Sequence, residues 1–264
     1  MYHLIKLEAA LAETIFACKL HFTASTTSTN TDAMTAARNG APHGSVYFAD
    51  EQTAGRGRGN HGWHSAAGDG LYVSILLRPQ LAASNLALLP LAAGLAAADA
   101  IHGVSALSVD LRWPNDLLIG ERKVGGILVE ARNDSKGPLH AMAVVVGVGI
   151  NIHQRNFPPD LATPATSLDL ELNRPVSRQN LLVALLKSLQ RETSGLSDPA
   201  VANEIPARVE LGSSWTRGRY VQVHGPQACE GVTVGLDNNA FLRVETAAGL
   251  VTIQTGGIRA ALKK

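Results

Sequence analysis

Cysteine is almost absent from the 264-residue chain: Cys18 and Cys229 are the only two, far apart and outside any CxxC or zinc-ligand spacing. That excludes a disulfide scaffold and a thiolate metal centre, and reads as two buried or incidental thiols of a reducing compartment. No sign of charge dominates, with Lys+Arg 23 against Asp+Glu 22, so a polybasic nucleic-acid surface is excluded and a small-molecule or protein partner favoured. Charged residues make up only 17% against 45% hydrophobic, a balance that excludes disorder. The longest apolar stretch, Leu86 to Ile101, is broken by Pro90, Gly94 and Asp99 and is shorter than the roughly 20 residues a bilayer requires. The N-terminal "MYHLIKLEAALAETIFACKL" carries acids inside its apolar pattern and lacks a small-residue cleavage site, which argues against a signal peptide. A cytoplasmic protein without a membrane partner is expected. Internal repeats and low-complexity linkers are also missing, so the chain reads as one large domain with an appendage or as two modest ones.

Apolar periodicity predicts helices over residues 5 to 16, Thr31 to Asn39, Ser84 to Ile101, Ser177 to Thr193 and 198 to 211. Between the first two lies the polar, cap-rich "TASTTSTN". "SVYFAD" (45–50) and "LYVSILLRP" (71–79) read as strands, as do "LSVDLRWPNDLLIG", "RKVGGILVEAR" and "HAMAVVVGVGINIH", whose short connections suggest consecutive antiparallel pairing. From Trp215 the texture changes to short alternating strands, "RYVQVHG", "CEGVTVGLD", "FLRVETAAG" and "VTIQTGG". The expected division is therefore 1–211 and 212–264, the second part a small β-barrel.

Aromatic residues are only 5% of the chain, which makes "TAGRGRGNHGW" (53–63) conspicuous. Gly57, Gly59 and Gly62 satisfy G-x-G-x-x-G literally, yet a dinucleotide fingerprint needs a helix directly after the glycines and an acid about 20 residues on. Here a loop and a strand follow, and the stretch near residue 82 has no carboxylate. No Gly-Lys-Ser/Thr element supplies a Walker loop, and a single Gly-Arg pair between strands is not an RGG arm. Two readings stay open. Either the glycines merely let a long loop turn, or they let backbone amides approach an anion while Arg56 and Arg58 offer planar forks to phosphate or carboxylate. Trp63 presents a flat face for an adenine, or is simply core. His61 and His64 lack a third ligand, so no metal site is expected there.

"RWPNDL" (112–117) sets Asn115 and Asp116 inside an apolar sheet, where polar groups need partners; Mg²⁺ with a polyphosphate is one, an Asn-Asp turn the other. Lys123 precedes the Gly-Gly pair of "RKVGGILVE" (122–130), so its ammonium points either at a neighbouring cleft or at solvent. "STN" (28–30) is a helix cap by local chemistry. Asn151 ends "VGVGIN" (146–151) and either reads a base edge or makes a turn.

Taken in this order, "STN", "QTAGRGRGNHGW", "RWPNDL", "RKVGGILVE" and "VGVGIN" resemble the biotin protein ligases over roughly residues 20 to 264. The resemblance implies an α+β fold: a class II aminoacyl-tRNA synthetase-like catalytic domain, a mixed sheet with helices, followed by an SH3-like barrel. It places Ser28, Thr29, Asn30, Gln52, Gly55, Arg56, Gly57, Arg58, Lys123 and Gly126 on biotin and its adenylate. Trp63, Asn115, Asp116 and Asn151 fall on the ATP side, with Asp116 toward Mg²⁺, and Lys123 and Arg58 carry the catalysis. The chain departs from many relatives at Gly59-Asn60-His61, where they have further basic residues. Its closing "QTGGIRAAL" is shorter than the "GG-acidic-x-x-Leu-Arg" of some, so Arg259 is assigned no role.

The implied activity is that of a carbon–nitrogen ligase. Biotin attacks the α-phosphate of ATP to give biotinyl-5′-AMP, and a lysine of the biotin carboxyl carrier domain of acetyl-CoA carboxylase then displaces AMP. The implied cofactors are biotin, ATP and Mg²⁺. The stretch before "STN" is too short for the operator-binding winged helix of bifunctional relatives, so no nucleic-acid partner is expected; a homodimer is left open. The nearest rival is a lipoate or octanoate ligase or transferase of the same fold. A non-catalytic biotin-binding module and a DNA-binding regulator are more distant ones, and neither explains Lys123, Asn115 and Asp116 together.

Overall fold

Valine- and leucine-rich runs flanked by glycine or proline build a seven-stranded mixed sheet in the computed structural model, which describes residues 2–79, 83–133, 142–159 and 161–261. Its strands are β1 (Leu20–Thr26), β2 (Ser45–Gln52), β3 (Gly70–Leu77), β4 (Asp110–Arg112), β5 (Asp116–Ile119), β6 (Arg122–Asn133) and β7 (Met142–Asn151), in the order β1-β2-β3-β7-β6-β5-β4. Only β1 and β2 run parallel; β4 to β7 pair consecutively and antiparallel, as their short connections predict.

Helices cover both faces, which is why every residue of β3 is buried. On one face α2 (Thr29–Arg38) packs Ala33 and Ala37 onto Leu76, Ala143 and Val145. On the other lie α3 (Leu88–Ser105), α5 (Arg178–Ser194) and α6 (Pro199–Leu211), over a core that includes Ile75, Val146 and Val148. Two short helices, α1 (Leu4–Ala10) and α4 (Leu168–Leu172), complete the set. Asn85–Ser105 is long and apolar enough to cross a membrane by length and composition, contrary to the reading of its apolar core as too short, but more than half of it is buried inside the fold. Alanines at 92, 93, 96, 97 and 100 let α3 sit close to its neighbours.

The remaining strands, β8 (Arg217–His224), β9 (Cys229–Leu236), β10 (Leu242–Thr246), β11 (Gly249–Ile253) and β12 (Gly257–Ala260), form a five-stranded antiparallel sheet in the order β11-β10-β9-β8-β12. It is fastened to the β4–β5 hairpin. Trp113 Nε1 donates to Ala240 O (3.0 Å), Ser213 Oγ to Leu111 O (2.5 Å), and Arg219 lies 3.6 Å over the Trp215 ring while pairing with Glu121.

Several expectations change. The first helix stops at Ala10 rather than residue 16, because Leu11 leaves the helical basin (φ −113°) and the chain turns to bring Phe16 into the core beside Leu7 and Leu11. Of the two alternatives left for the thiols, Cys18 is the incidental one: it is exposed and adopts φ +57°. The first half of "TASTTSTN" belongs to β1, an edge strand whose inner residues are exposed and therefore carry no apolar alternation, and its last two residues open α2. "LSVDLRWPNDLLIG" is two strands joined at Trp113–Asn115, not one. The closing segment supplies a fifth strand, β12, paired with β8.

Candidate functional site

The site begins as a gap in the sheet. Side chains alternate along a strand, so the α2 face of β7 reads Ala143, Val145, Gly147, Gly149. Where α2 ends, the two glycines leave a trough. A Cβ at 147 would lie 2.9 Å from Asn30 Cγ, and one at 149 would lie 2.5 Å from Trp63 Nε1. Across the ladder Gly126 faces Gly149 and Leu128 faces Gly147. The trough opens into a cavity of about 1040 Å³. Its lining includes every predicted site residue: Ser28, Thr29, Asn30, Gln52, Gly55, Arg56, Gly57, Arg58, Trp63, Asn115, Asp116, Lys123, Gly126 and Asn151.

At the inner end, the first turn of α2 is held by side chains from elsewhere. Ser28 is N-terminal to the helix, but its hydroxyl makes no cap bond, so the capping role read from "STN" is corrected. Gln52 Oε1 instead accepts from the Thr29 N–H (2.9 Å) and hydroxyl (3.1 Å), and its amide donates to Ser65 Oγ (2.8 Å). Ser74, fully buried on β3, donates to Asn30 Oδ1 (2.5 Å), and Asn30 Nδ2 donates to Glu130 Oε2 (2.8 Å). Buried amides and hydroxyls in such a chain have their hydrogen-bonding capacity used internally, which fixes their rotamers.

The Gly-Arg loop folds back on itself as a narrow finger. Gln52 bridges Ser65 and Arg56 bridges Gly62, while Trp63 N–H donates to Gly55 O (2.8 Å) and Gly57 N–H to His61 O (2.7 Å). At its tip Gly59 takes φ +60°, a left-handed conformation that glycine adopts without strain. Its two arginines diverge. Arg56 pairs with Glu130 (3.2 Å), whereas Arg58 Nη1 donates to Gly256 O (2.7 Å) and Asn115 Oδ1 (3.3 Å). Burial lowers the proton affinity of Arg58, with the charge of Asp116 opposing it. Trp63 returns to the trough, 5.4 Å from the Lys123 ammonium to its ring centroid, and its buried Nε1–H has no partner among the described residues.

The opposite wall depends on an irregularity. Between β5 and β6, Leu117 pairs with Gly125 but Leu118 pairs with Lys123, leaving Val124 as an extra residue. A bulge shifts the alternation by one, which is how Lys123 and Gly126, three residues apart, meet on the same face: a Cβ at 126 would lie 3.4 Å from Lys123 Nζ. Asp116 receives Lys123 Nζ on one oxygen (2.5 Å) and Arg112 Nη2 on the other (2.6 Å). Burial alone would push its carboxyl up, but the two cations together hold it below the ordinary carboxylate value. Both oxygens of Asp116 thus face cations, and among the described residues no group of three or more His, Cys, Asp or Glu is placed to hold an ion. This arrangement does not fit Asp116 as a Mg²⁺ ligand. Asn115 brackets the hairpin to β6, its side-chain Nδ2 donating to Ile127 O and its backbone carbonyl accepting from Ile127 N–H. Asn151 Nδ2 donates to Thr166 O (3.0 Å) at the cavity's edge.

Residues to which the sequence assigned no role line the wall or stand behind it. Ser65, Ser74 and Glu130 extend the polar chain; Arg112 grips Asp116; Gly147 and Gly149 make the trough. From the C-terminal sheet come His224, Gly256 and Arg259. Burial, followed by the charge of Arg259, lowers the His224 pKa from its ordinary value. Ser74 interrupts an apolar strand, and Gly147 and Gly149 stand two apart; both are signals a strand alternation can carry. His224 and Arg259 come from a distant strand pair and leave no local one.

A cavity lined by two arginines and a lysine above a glycine floor, with an indole lying in the trough, offers the donors that a carboxylate and a phosphate need. The model of the biotin/lipoate A/B protein ligase family matches residues 22–151. A biotin–[acetyl-CoA-carboxylase] ligase of Paracoccus denitrificans is 35% identical over 237 residues, spanning 86% of this chain and 94% of its own. Another, of Mycobacterium tuberculosis, is 32% identical over 250 residues, with 91% and 88% covered. The solved biotin protein ligase of Aquifex aeolicus in complex with biotin and ATP superposes with a TM-score of 0.80 at 28% identity, covering 92% of this chain and 100% of that one. The chain belongs to the biotin protein ligase family.

Proposed function

We infer that this chain is a biotin–[acetyl-CoA-carboxylase] ligase, which activates biotin as its adenylate and passes it to a carrier lysine. The observation that carries the reading is the single cavity uniting the glycine trough, the Gly-Arg finger and the Lys123–Asp116–Arg112 cluster. In this reading biotin lies in the trough beside Ser28, Thr29, Asn30, Gln52, Gly55, Gly57 and Gly126. Its carboxylate points toward Arg56, Arg58 and Lys123, and ATP lies along Trp63, Asn115, Asp116 and Asn151. Residues 1–211 carry the chemistry, and 212–264 form a separate unit against which the finger rests through Arg58 and Gly256.

A carboxylate is a poor electrophile, so its oxygen first attacks the α-phosphate of ATP and pyrophosphate leaves. Arg58 and Lys123 stabilise the charge developing on the phosphoryl oxygens, an electrostatic contribution that needs no protein nucleophile. Asp116 keeps the Lys123 ammonium aimed. Mg²⁺ enters with ATP as part of the substrate and is given no protein ligand. In the second half a lysine amine of the biotin carboxyl carrier domain attacks the mixed anhydride and AMP departs. The finger excludes water from the anhydride until then.

Exchange of labelled pyrophosphate into ATP tests the first half. It should require biotin, lipoate should not replace biotin, and a carrier domain should become biotinylated. Exchange supported by lipoate and not biotin would overturn the assignment.

A further inference from the structure

Glu130 is an unexpected residue to find behind this cavity. It stands on the same face of β6 as Gly126 and Leu128, one alternation beyond the last β6 residue that lines the cavity, behind a trough meant for a ligand that is anionic at its reacting end. An unengaged carboxylate there would repel that ligand. It is not unengaged: one oxygen, Oε2, accepts from Asn30 Nδ2 (2.8 Å) and from Arg56 Nη2 (3.2 Å). Those donors come from separate elements, Asn30 from the first turn of α2 and Arg56 from the first arm of the finger. The finger's second arm is tied to the same helix turn by Ser65, Gln52 and Thr29. Arg56 also reaches Thr31 Oγ1, at 3.4 Å.

We propose that Glu130 is a positioning residue that couples the biotin trough to the finger, holding Arg56 over the trough and Asn30 in its wall through one carboxylate oxygen. The proposal rests on the ligase reading above. Its geometry makes two separable demands, since Asn30 needs only an acceptor and Arg56 needs a charge. Both partners are part-exposed, 45% for Arg56 and 30% for Glu130, so solvent moderates the ion pair. The expected effects are about tenfold rather than thousandfold.

The test compares the parent with Glu130→Gln and Glu130→Ala in three readouts: release of preformed biotinyl-adenylate, KM for biotin against kcat in pyrophosphate exchange, and thermal midpoint. Glutamine still accepts from Asn30, so E130Q should release adenylate about tenfold faster with a biotin KM close to the parent's. E130A loses both bonds, so release should quicken and the biotin KM should rise about fivefold to tenfold. Equal retention in the parent and both variants would overturn the proposal. So would variants that lose retention and biotin affinity together, in step with their thermal midpoints, since that is a merely structural role. If E130A fails to fold, retention in E130Q decides alone. A parent that forms no adenylate overturns the ligase reading and this proposal with it, an outcome visible before any variant is measured.

Discussion

Replacing Gly149 with alanine puts a methyl group where the indole of Trp63 lies. The added Cβ would sit 2.5 Å from Nε1, 2.7 Å from Cε2 and 3.0 Å from Cζ2, whereas carbon contacts settle near about 3.5–4.0 Å. The ring must therefore move by roughly 1 Å or leave the trough. Its backbone cannot follow freely, because Trp63 N–H is bonded to Gly55 O. Forcing the methyl in with the ring retained costs about 1–3 kcal/mol of stability; expelling the ring costs less, since it is part-exposed. The functional cost is separate. Stacking of a base on an aromatic ring contributes about 1–3 kcal/mol, so losing it raises the KM for ATP about fivefold to hundredfold and leaves the biotin KM nearly unchanged. Steady-state pyrophosphate exchange with each substrate varied in turn measures both. A folded G149A protein with the parent's KM for ATP would refute the placement of Trp63 over the nucleotide.

Lys123→Ala should lower exchange by about 10²–10³, the usual cost of one charge-stabilising donor, with an unchanged far-ultraviolet spectrum; exchange at the parent's rate would remove Lys123 from the mechanism. Arg58→Gly loses the bonds to Asn115 and Gly256, so the adenylate should escape into solvent, measured as labelled intermediate passing a desalting column; retention equal to the parent's would contradict the cradle. Asp116 contributes to stability through a folded pKa held below its unfolded value. That contribution is present above the unfolded value, about 3.9, and is lost as pH falls through the folded one. Asp116→Asn should thus lower the urea midpoint at pH 7, with the gap to the parent narrowing below about pH 4; a gap constant down to pH 2 would refute the ion-pair account.

Much of the molecule was legible because its signals are local. Strand runs such as "LYVSILL" announce themselves by composition, and the helices α5 and α6 follow Ser177 and Asp198, whose side chains accept cap bonds from their first turns. The site motifs were legible as residue types: arginines, a lysine, an Asn-Asp pair and glycines, all of which line one cavity. What was not legible depends on elements meeting at a distance. β1 is stabilised by pairing with β2 and not by its own exposed residues. The capping of α2 passes from Ser28 to Gln52 because β2 ends beside the helix. Asp116 suits a metal by type, but the bulge at Val124 swings Lys123 onto it and Arg112 closes its other side. Glu130 looks like the solvated end of a strand until Asn30 and Arg56 are placed on it.

In the proposed reaction, carboxylate activation takes place in the glycine trough beneath the 53–63 finger. Crystals grown with biotin and ATP test it most directly. They should hold biotinyl-adenylate with its ring system over Gly147, its phosphate between Arg58 and Lys123, and its adenine against Trp63. Unreacted biotin and ATP held apart, or an adenylate bound away from the trough, would contradict it.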